Sequence, residues 1–218
     1  MLLFVVLSLR DYRYFGGNPG TDIIWKILCL FISIIGLSVR IITVGHIYPG
    51  TSGRNTKYQE ADNLNTTGLY SAVRNPLYLG NIIMYTGAIL VPRDFAIASV
   101  LLVFLILYYE RIIYTEECFL VEKYGAKYSD WARNTPLLMP DFRKYKKSDL
   151  KFNWKLVLRK EFSGIFAIAV VFFLLDSLSN YFASGKFSTD IFWLMYLSVN
   201  LVFYLVVLYM KKKTGILK

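Results

Sequence analysis

The chain has one histidine, His46, and two cysteines, Cys29 and Cys118. A single histidine argues against a histidine-built zinc site or a Ser-His-Asp triad. Two cysteines cannot make a disulfide framework, and no C-x-x-C suggests a metal site, so no metal is expected. Charge is also scarce: 18% of residues are charged, against about 25% in soluble domains. Acidic residues are the scarcer sign, with 15 Asp and Glu against 25 Lys and Arg. The glycine-rich stretch Gly16-Gly17-Asn18-Pro19-Gly20 lacks the G-x-G-x-x-G spacing and follows no strand pattern, so it reads as a turn. No internal repeat and no low-complexity tract is visible. Residues 1–9 are apolar but too short to span a bilayer, and they lack the basic n-region and cleavage site of a signal peptide. They read as a half-inserted or interfacial helix.

What is abundant is apolar. Hydrophobic residues make up 56% and aromatics 17% of the 218 residues, gathered in long blocks. That excludes a disordered chain and an ordinary soluble enzyme, and it predicts an all-α polytopic membrane protein. Residues 23–47 are long enough to span, although they contain Lys26 and Arg40. Residues 77–109 are broken at Pro92-Arg93-Asp94 into a tight hairpin whose arms, at about 15 residues each, fall short of a usual span. Residues 162–183, with Asp176 inside, and 187–210, closed by Lys211-Lys212-Lys213, complete about five transmembrane helices.

The net charge of +10 points to loops facing anionic lipid, not to nucleic acid. Nineteen Lys and Arg lie in residues 48–76, in 110–160 and in the C-terminal tail, against four in the opposite loops. The positive-inside bias therefore puts those three segments in the cytoplasm. Four regions are expected: an N-terminal membrane segment with an entry loop (1–63), a core with the hairpin (64–140), a basic cytoplasmic linker (141–160) and a C-terminal hairpin (161–218).

Two of the cytoplasmic segments carry chemistry-bearing patterns. In Arg74-Asn75-Pro76 the proline suits the first turn of a helix, and Arg74 sits beside a helix N-terminus that favours an anionic ligand. The bland reading is a helix start with a snorkelling arginine. Glu116-Glu117 are adjacent acids in an apolar, aromatic stretch, where they cost desolvation unless they face water or a partner. They are either a solvated helix face or a ligand-holding pair. Gly125 is a candidate helix break, and Pro136 and Pro140 mark a loop. Tyr70, Tyr78, Tyr108, Tyr109, Tyr114, Tyr124, Tyr128 and Trp131 form an interfacial belt, or in part stack on a flat or cationic ligand. Arg40, His46, Arg54 and Lys57 are polar groups around the end of the first span and the following loop, suited to an anionic head group.

GLYSAVRNPLYLGN, the acidic pair and EKYGAKYSDWARNTPLLMP together resemble the integral-membrane methyltransferases. These include isoprenylcysteine carboxyl methyltransferase and phospholipid methyltransferases. The resemblance covers residues 64–140 through Gly68, Tyr70, Arg74, Pro76, Tyr78, Gly80, Glu116, Glu117, Tyr124, Gly125, Tyr128, Pro136 and Pro140. It implies an S-adenosylmethionine-dependent enzyme without a Rossmann domain, with a cytosol-facing cofactor pocket and a lipid or lipidated substrate entering from the bilayer. Arg74, Asn75, Tyr78, Gly80, Glu116 and Glu117 would bind the cofactor, and Glu117 and Arg133 would be catalytic. Asn75 replaces the family histidine, and an amide cannot shuttle a proton near neutral pH. Asn134 stands where the family has an arginine, with Arg133 beside it.

The loop 50–67 looks like bacterial members, among which lipid A phosphate methylation occurs. The expected activity is O-methylation of an anionic lipid head group, such as a phosphate, in a bacterial inner membrane. Prenylcysteine carboxyl methylation and phospholipid amine N-methylation are alternatives. A non-catalytic transporter or scaffold, with Arg40 and Asp176 as a polar path, is the alternative of another class. No protein partner is implied.

Overall fold

The computed structural model describes residues 2–48 and 63–214, and these are all-helical in architecture. A short helix α1 (Leu2–Leu7) precedes the long α2 (Pro19–Gly45). Pro19 opens α2 where its missing N–H is harmless, and the Asn18 side chain caps the Gly20 N–H. One turn of helix, α3 (Leu69–Ala72), leads into α4 (Pro76–Leu90) and α5 (Phe95–Tyr124). Then come α6 (Ala126–Asn134), α7 (Trp154–Ser184) and α8 (Ile191–Tyr209), the last ending in a wider turn over Met210–Thr214.

Helices α2, α5, α7 and α8 are each long and apolar enough to cross a membrane, while α4 is a shorter apolar helix. At 15 residues α4 is about 22 Å long, so it falls short of the roughly 30 Å hydrocarbon core. The hairpin turn falls at Val91–Asp94 as the sequence predicts, and Asp94 caps the Ile97 N–H. Its second arm does not. Helix α5 runs for 30 residues instead of about 15, because nothing between Tyr109 and Tyr124 breaks a helix. It stops at Gly125, whose φ of 56° lies in the left-handed region that favours glycine. Glu116 and Glu117 therefore ride on the same rod as the hairpin. Helix α7 likewise starts at Trp154, eight residues before the apolar run, so Glu161 lies two turns inside a helix.

Helices α2 and α4 meet through small residues. A Cβ on Gly36 or Gly87 would collide with the backbone of Met84 or of Ser33 and Cys29, and the Ser33 hydroxyl donates to the Met84 carbonyl at 2.7 Å. Such close approach lets van der Waals packing and hydrogen bonds replace the hydrophobic drive that lipid removes.

Charged groups within the bundle are paired at two levels. At the first, Lys26 Nζ lies 2.8 Å from both Asp22 and Asp176. Arg93 and the Tyr12 hydroxyl also bond Asp22, at 2.9 and 2.8 Å. The Asp190 and Asn180 nitrogens donate to Asp176. At the second, Arg40 pairs with Glu161. Fourteen residues of helix separate Lys26 from Arg40, about 21 Å. Buried Leu30, Leu37, Ile168 and Phe172 fill the core between. The polar path from Arg40 to Asp176 expected of a transporter is thus interrupted by an apolar layer.

The loops gather by end. The Gly68 N–H donates to Lys146 O, Arg74 N–H to Pro136 O, Asp141 N–H to Ala72 O and Asn153 N–H to Gly45 O. The segments that the charge count assigns to a common side thus meet at one end, and the turns at Arg93 and Lys186 lie at the other.

Candidate active site

The site is built at the loop-rich end, where α4 begins and α5 finishes. Pro76 starts α4 as predicted, which fixes Arg74 and Asn75 at its lip. Because α4 and α5 are antiparallel, the start of one faces the last turns of the other. Tyr78 donates its hydroxyl proton to Glu116 at 2.5 Å. Arg74 Nη1 lies 3.3 Å from both carboxylate oxygens of Glu117. Both members of the acidic pair therefore have partners, Glu117 in Arg74 and Glu116 in Tyr78 of the first turn of α4, and the solvated-face reading does not hold for them. Asn75 donates from its amide to Leu137 O at 3.3 Å, so this position ties α4 to the Pro136–Pro140 loop.

Tyr128 on α6 joins the Arg74–Glu117 pair. Burial pushes its phenol well above the ordinary tyrosine value, and the Glu117 charge adds to the shift while Arg74 opposes it. The phenol stays protonated and able to donate. Its ring lies 5.5 Å from that of Trp131. Here the structure leaves three buried polar atoms without a hydrogen-bond partner: Arg74 Nε, Glu117 Oε1 and Trp131 Nε1. Glu117 Oε1 lies within ion-pair distance of Arg74 but lacks an aligned donor. Orphaned atoms of this kind are rare and costly; the one other among the described residues, Trp193 Nε1, is isolated in the core, whereas these three are clustered and include both donors and an acceptor.

A second polar line enters from the bundle. Arg40 Nε and Nη2 grip Glu161 at 2.9 and 2.7 Å, and Nη1 donates to Asn81 Oδ1 at 2.7 Å. The Tyr109 ring lies 5.3 Å from that of Tyr78. Glu161, Arg40 and Asn81 form one hydrogen-bonded chain from α7 through α2 to α4, and Tyr78 with Glu116 forms another link from α4 to α5. Tyr70 feels both ends: burial raises its phenol first, then the Glu116 charge, with Arg40 pulling the other way.

The remaining sequence-predicted residues are placed differently. Gly80 is buried against α2, where a Cβ would sit 2.7 Å from Arg40 Cγ, so it serves the helix contact. Arg133 is exposed on α6, 3.8 Å from Asp130, and lines an open 450 Å³ depression with Thr135, Met139, Arg143 and Lys144. The structure does not bring it to the Arg74–Glu117 pair. His46 ends α2, with Nδ1 3.0 Å from Ile42 O and its ring edge-on to Phe152. Arg40 spends its charge on Glu161. Arg54 and Lys57 lie outside the described residues. Tyr108 and Tyr114 are exposed on the flank of α5, as a belt requires. Sequence reasoning missed Glu161 and Asn81. The only signal for Glu161 was an acid at the head of an apolar run.

The decisive comparison is with family models. Residues 25–127 match that of phospholipid methyltransferase. The methyltransferase match holds Arg40, Arg74, Tyr78, Asn81 and the Glu116-Glu117 pair, and it ends before Tyr128, Trp131 and Glu161. It bears out the resemblance to integral-membrane methyltransferases. A cobalt-zinc-cadmium resistance protein, CzcN of Cupriavidus metallidurans, is 30% identical over 148 residues, 67% of this chain and 63% of that protein. A nickel-cobalt-cadmium resistance protein, NccN of Alcaligenes xylosoxydans xylosoxydans, is 29% identical over 138 residues, 62% of each. The chain thus spans somewhat under two thirds of the curated relatives it matches. No solved structure matches it. Among the described residues, no group of three or more His, Cys, Asp or Glu is placed to hold a metal ion.

Proposed function

We propose that this protein is an S-adenosylmethionine-dependent methyltransferase acting on a lipid held in the membrane, with its site opening to the cytoplasm. The observation that carries the reading is the cluster of orphaned atoms around Arg74 and Glu117, inside and beside the phospholipid methyltransferase match. Two unpaired donors, Arg74 Nε and Trp131 Nε1, suit a carboxylate. One unpaired acceptor, Glu117 Oε1, suits an ammonium. That donor set fits the amino-acid end of S-adenosylmethionine. Arg74, Glu117 and Trp131 would hold it, with Tyr128 fixing the geometry of the pair. When bound, the cofactor supplies an electrophilic methyl group on a sulfonium. The protein's part is positioning above all. Asn75 anchors the Pro136–Pro140 loop over the site, and Tyr78 and Glu116 present a polar wall facing the bundle. An amide at position 75 binds and orients but does not shuttle a proton.

For the acceptor, the reading is O-methylation of an anionic head group such as a phosphate. Its support is the basic lining of the open depression beside the loop, where the exposed Arg133, Arg143 and Lys144 outnumber the single lining carboxylate, Asp141, with which Arg143 and Lys144 pair. Arg40 no longer contributes to that argument, since Glu161 neutralises it. A phosphate monoester that becomes a methyl diester loses one ionisation and binds divalent cations more weakly. That chemistry is compatible with the metal-resistance names of the two relatives. A second reading, N-methylation of a phospholipid amine, is favoured by the Glu116–Tyr78–Tyr109 wall, which suits an ammonium better than an anion.

The test is mass spectrometry of the lipids of cells with and without the protein. A lipid heavier by one methyl group that appears with the protein and disappears in Glu117→Gln supports the reading, and its head group separates phosphate from amine. Unchanged lipids, together with no stabilisation of the purified protein by S-adenosylhomocysteine, would overturn it.

A further inference from the structure

The stretch joining α6 to α7 is built unlike a solvated loop. Met139, Phe142, Tyr145 and Trp154 are 83, 66, 48 and 67% exposed. They alternate with Arg143, Lys144, Lys146, Lys147, Lys151 and Lys155, against two carboxylates, Asp141 and Asp149. Its depth is fixed by contacts. The Asn153 N–H donates to Gly45 O at 2.8 Å, and Phe152 packs on His46, so residues 152–154 lie level with the end of the spanning helix α2. Lys146 pairs with Gly68, whose Cα side approaches both Ser148 and His46. Helix α7, 31 residues and about 46 Å long, overshoots the hydrocarbon core, which leaves its Trp154 end at head-group height. Large apolar groups at that height meet the acyl boundary, and the lysines around them meet phosphates.

We propose that residues 139–155 form an interfacial collar that docks on the anionic phospholipid head groups of the surrounding leaflet. Its occupant is the lipid surface itself: the apolar side chains enter the head-group boundary and the cations take the phosphates. The collar is tied by backbone to the candidate site through Asp141 to Ala72, and the Pro136–Pro140 loop that runs into it accepts the Arg74 N–H at the Pro136 carbonyl. Anionic lipid therefore bears on the same loop that closes over Arg74 and Asn75. The proposal stands independently of any reading of the reaction.

The test uses the full chain reconstituted in phosphatidylcholine membranes. Electron paramagnetic resonance measures the share of motionally restricted lipid for spin-labelled phosphatidylglycerol and for spin-labelled phosphatidylcholine. The wild type should select phosphatidylglycerol at low salt and lose that preference in about 1 M salt, where the screening length falls to about 3 Å. K146Q/K147Q/K151Q/K155Q, all exposed positions, should lower the preference at least about fivefold, the factor for about 1 kcal/mol, which is the contribution of just one of the four basic side chains at an anionic surface. K211Q/K212Q/K213Q, which removes three cations from the tail, should keep most of it. Trp154→Phe should remove the part of tryptophan emission quenched by phosphatidylglycerol brominated near the head group. Equal selection of the two lipids by the wild type overturns the proposal. So does an equal loss in the tail variant, which would make the effect one of general charge. Unchanged quenching in Trp154→Phe places the collar out of the membrane and also overturns it.

Discussion

At the scale of the residue, the site turns on two charges and their unused hydrogen-bonding capacity. Arg74 gives Glu117 a weak, 3.3 Å contact and leaves Nε unpaired. A guanidinium held this loosely has donors to spare for an anion. Arg74→Ala should weaken S-adenosylhomocysteine binding by ten- to a hundredfold, from the loss of a charge-assisted contact of about 1.5–3 kcal/mol. Isothermal calorimetry in detergent reads it, and unchanged affinity would remove Arg74 from the cofactor site. Glu117→Gln keeps shape and removes charge. It should abolish most turnover while the protein elutes and melts as the wild type does, and near-normal turnover would show that the carboxylate is dispensable. The Glu116-Glu117 signal was legible because two acids in an apolar stretch need partners. Which partners was not legible, since Tyr78 and Arg74 lie about forty residues away in sequence.

Elements pack here by two devices, small residues and buried ion pairs. At Gly87 the backbone of α2 comes so close that even a methyl group meets Ser33 and Cys29. Gly87→Ala should therefore destabilise the protein by about 1–3 kcal/mol, the usual cost of overpacking. Thiol reactivity on heating reads this in a Cys118→Ser background, because Cys29 is buried and reacts on unfolding. An unshifted transition would mean that α2 and α4 are further apart than described. Glu161 is the one carboxylate that α7 supplies to the second polar level, and it is 1% exposed. Glu161→Gln strands the Arg40 charge and should cost about 3–5 kcal/mol, and Arg40→Met/Glu161→Gln should recover much of the loss. If the single variant is as stable as the wild type, another group neutralises Arg40. Helices and their starts were readable from runs, prolines and caps. The length of α5 was not, because a polar helix that continues an apolar one carries no punctuation until Gly125.

For the whole molecule, charge decides orientation. Sixteen of the nineteen Lys and Arg assigned to the cytoplasm are among the described residues, and they belong to segments that gather at one end or in the tail beside it, where Lys211 lies over the Phe162 ring. A fluorescent reporter fused after Lys213 should fold on the cytoplasmic side, and alkaline phosphatase inserted at Lys186 should be active on the other. The opposite pattern of activities would invert the topology and move the candidate site out of reach of a cytosolic cofactor.

The sequence by itself determined the class of this protein: apolar blocks of spanning length make membrane helices whatever else the chain does, since unpaired backbone cannot lie in lipid. It also determined the hairpin at Pro92-Arg93-Asp94 and the local motifs Arg74-Asn75-Pro76 and Glu116-Glu117, because turns, helix starts and adjacent acids are written in neighbouring residues. Only the tertiary structure decided how the buried charges are spent. Arg40 looked available to a substrate and is held by Glu161, 121 residues away. Gly80 looked like a cofactor contact and is a packing surface. Arg133 looked catalytic and faces solvent, while Trp131 beside it turns an unpaired nitrogen inward. Charge pairing and close packing depend on distances between helices, which the order of residues along one helix does not encode.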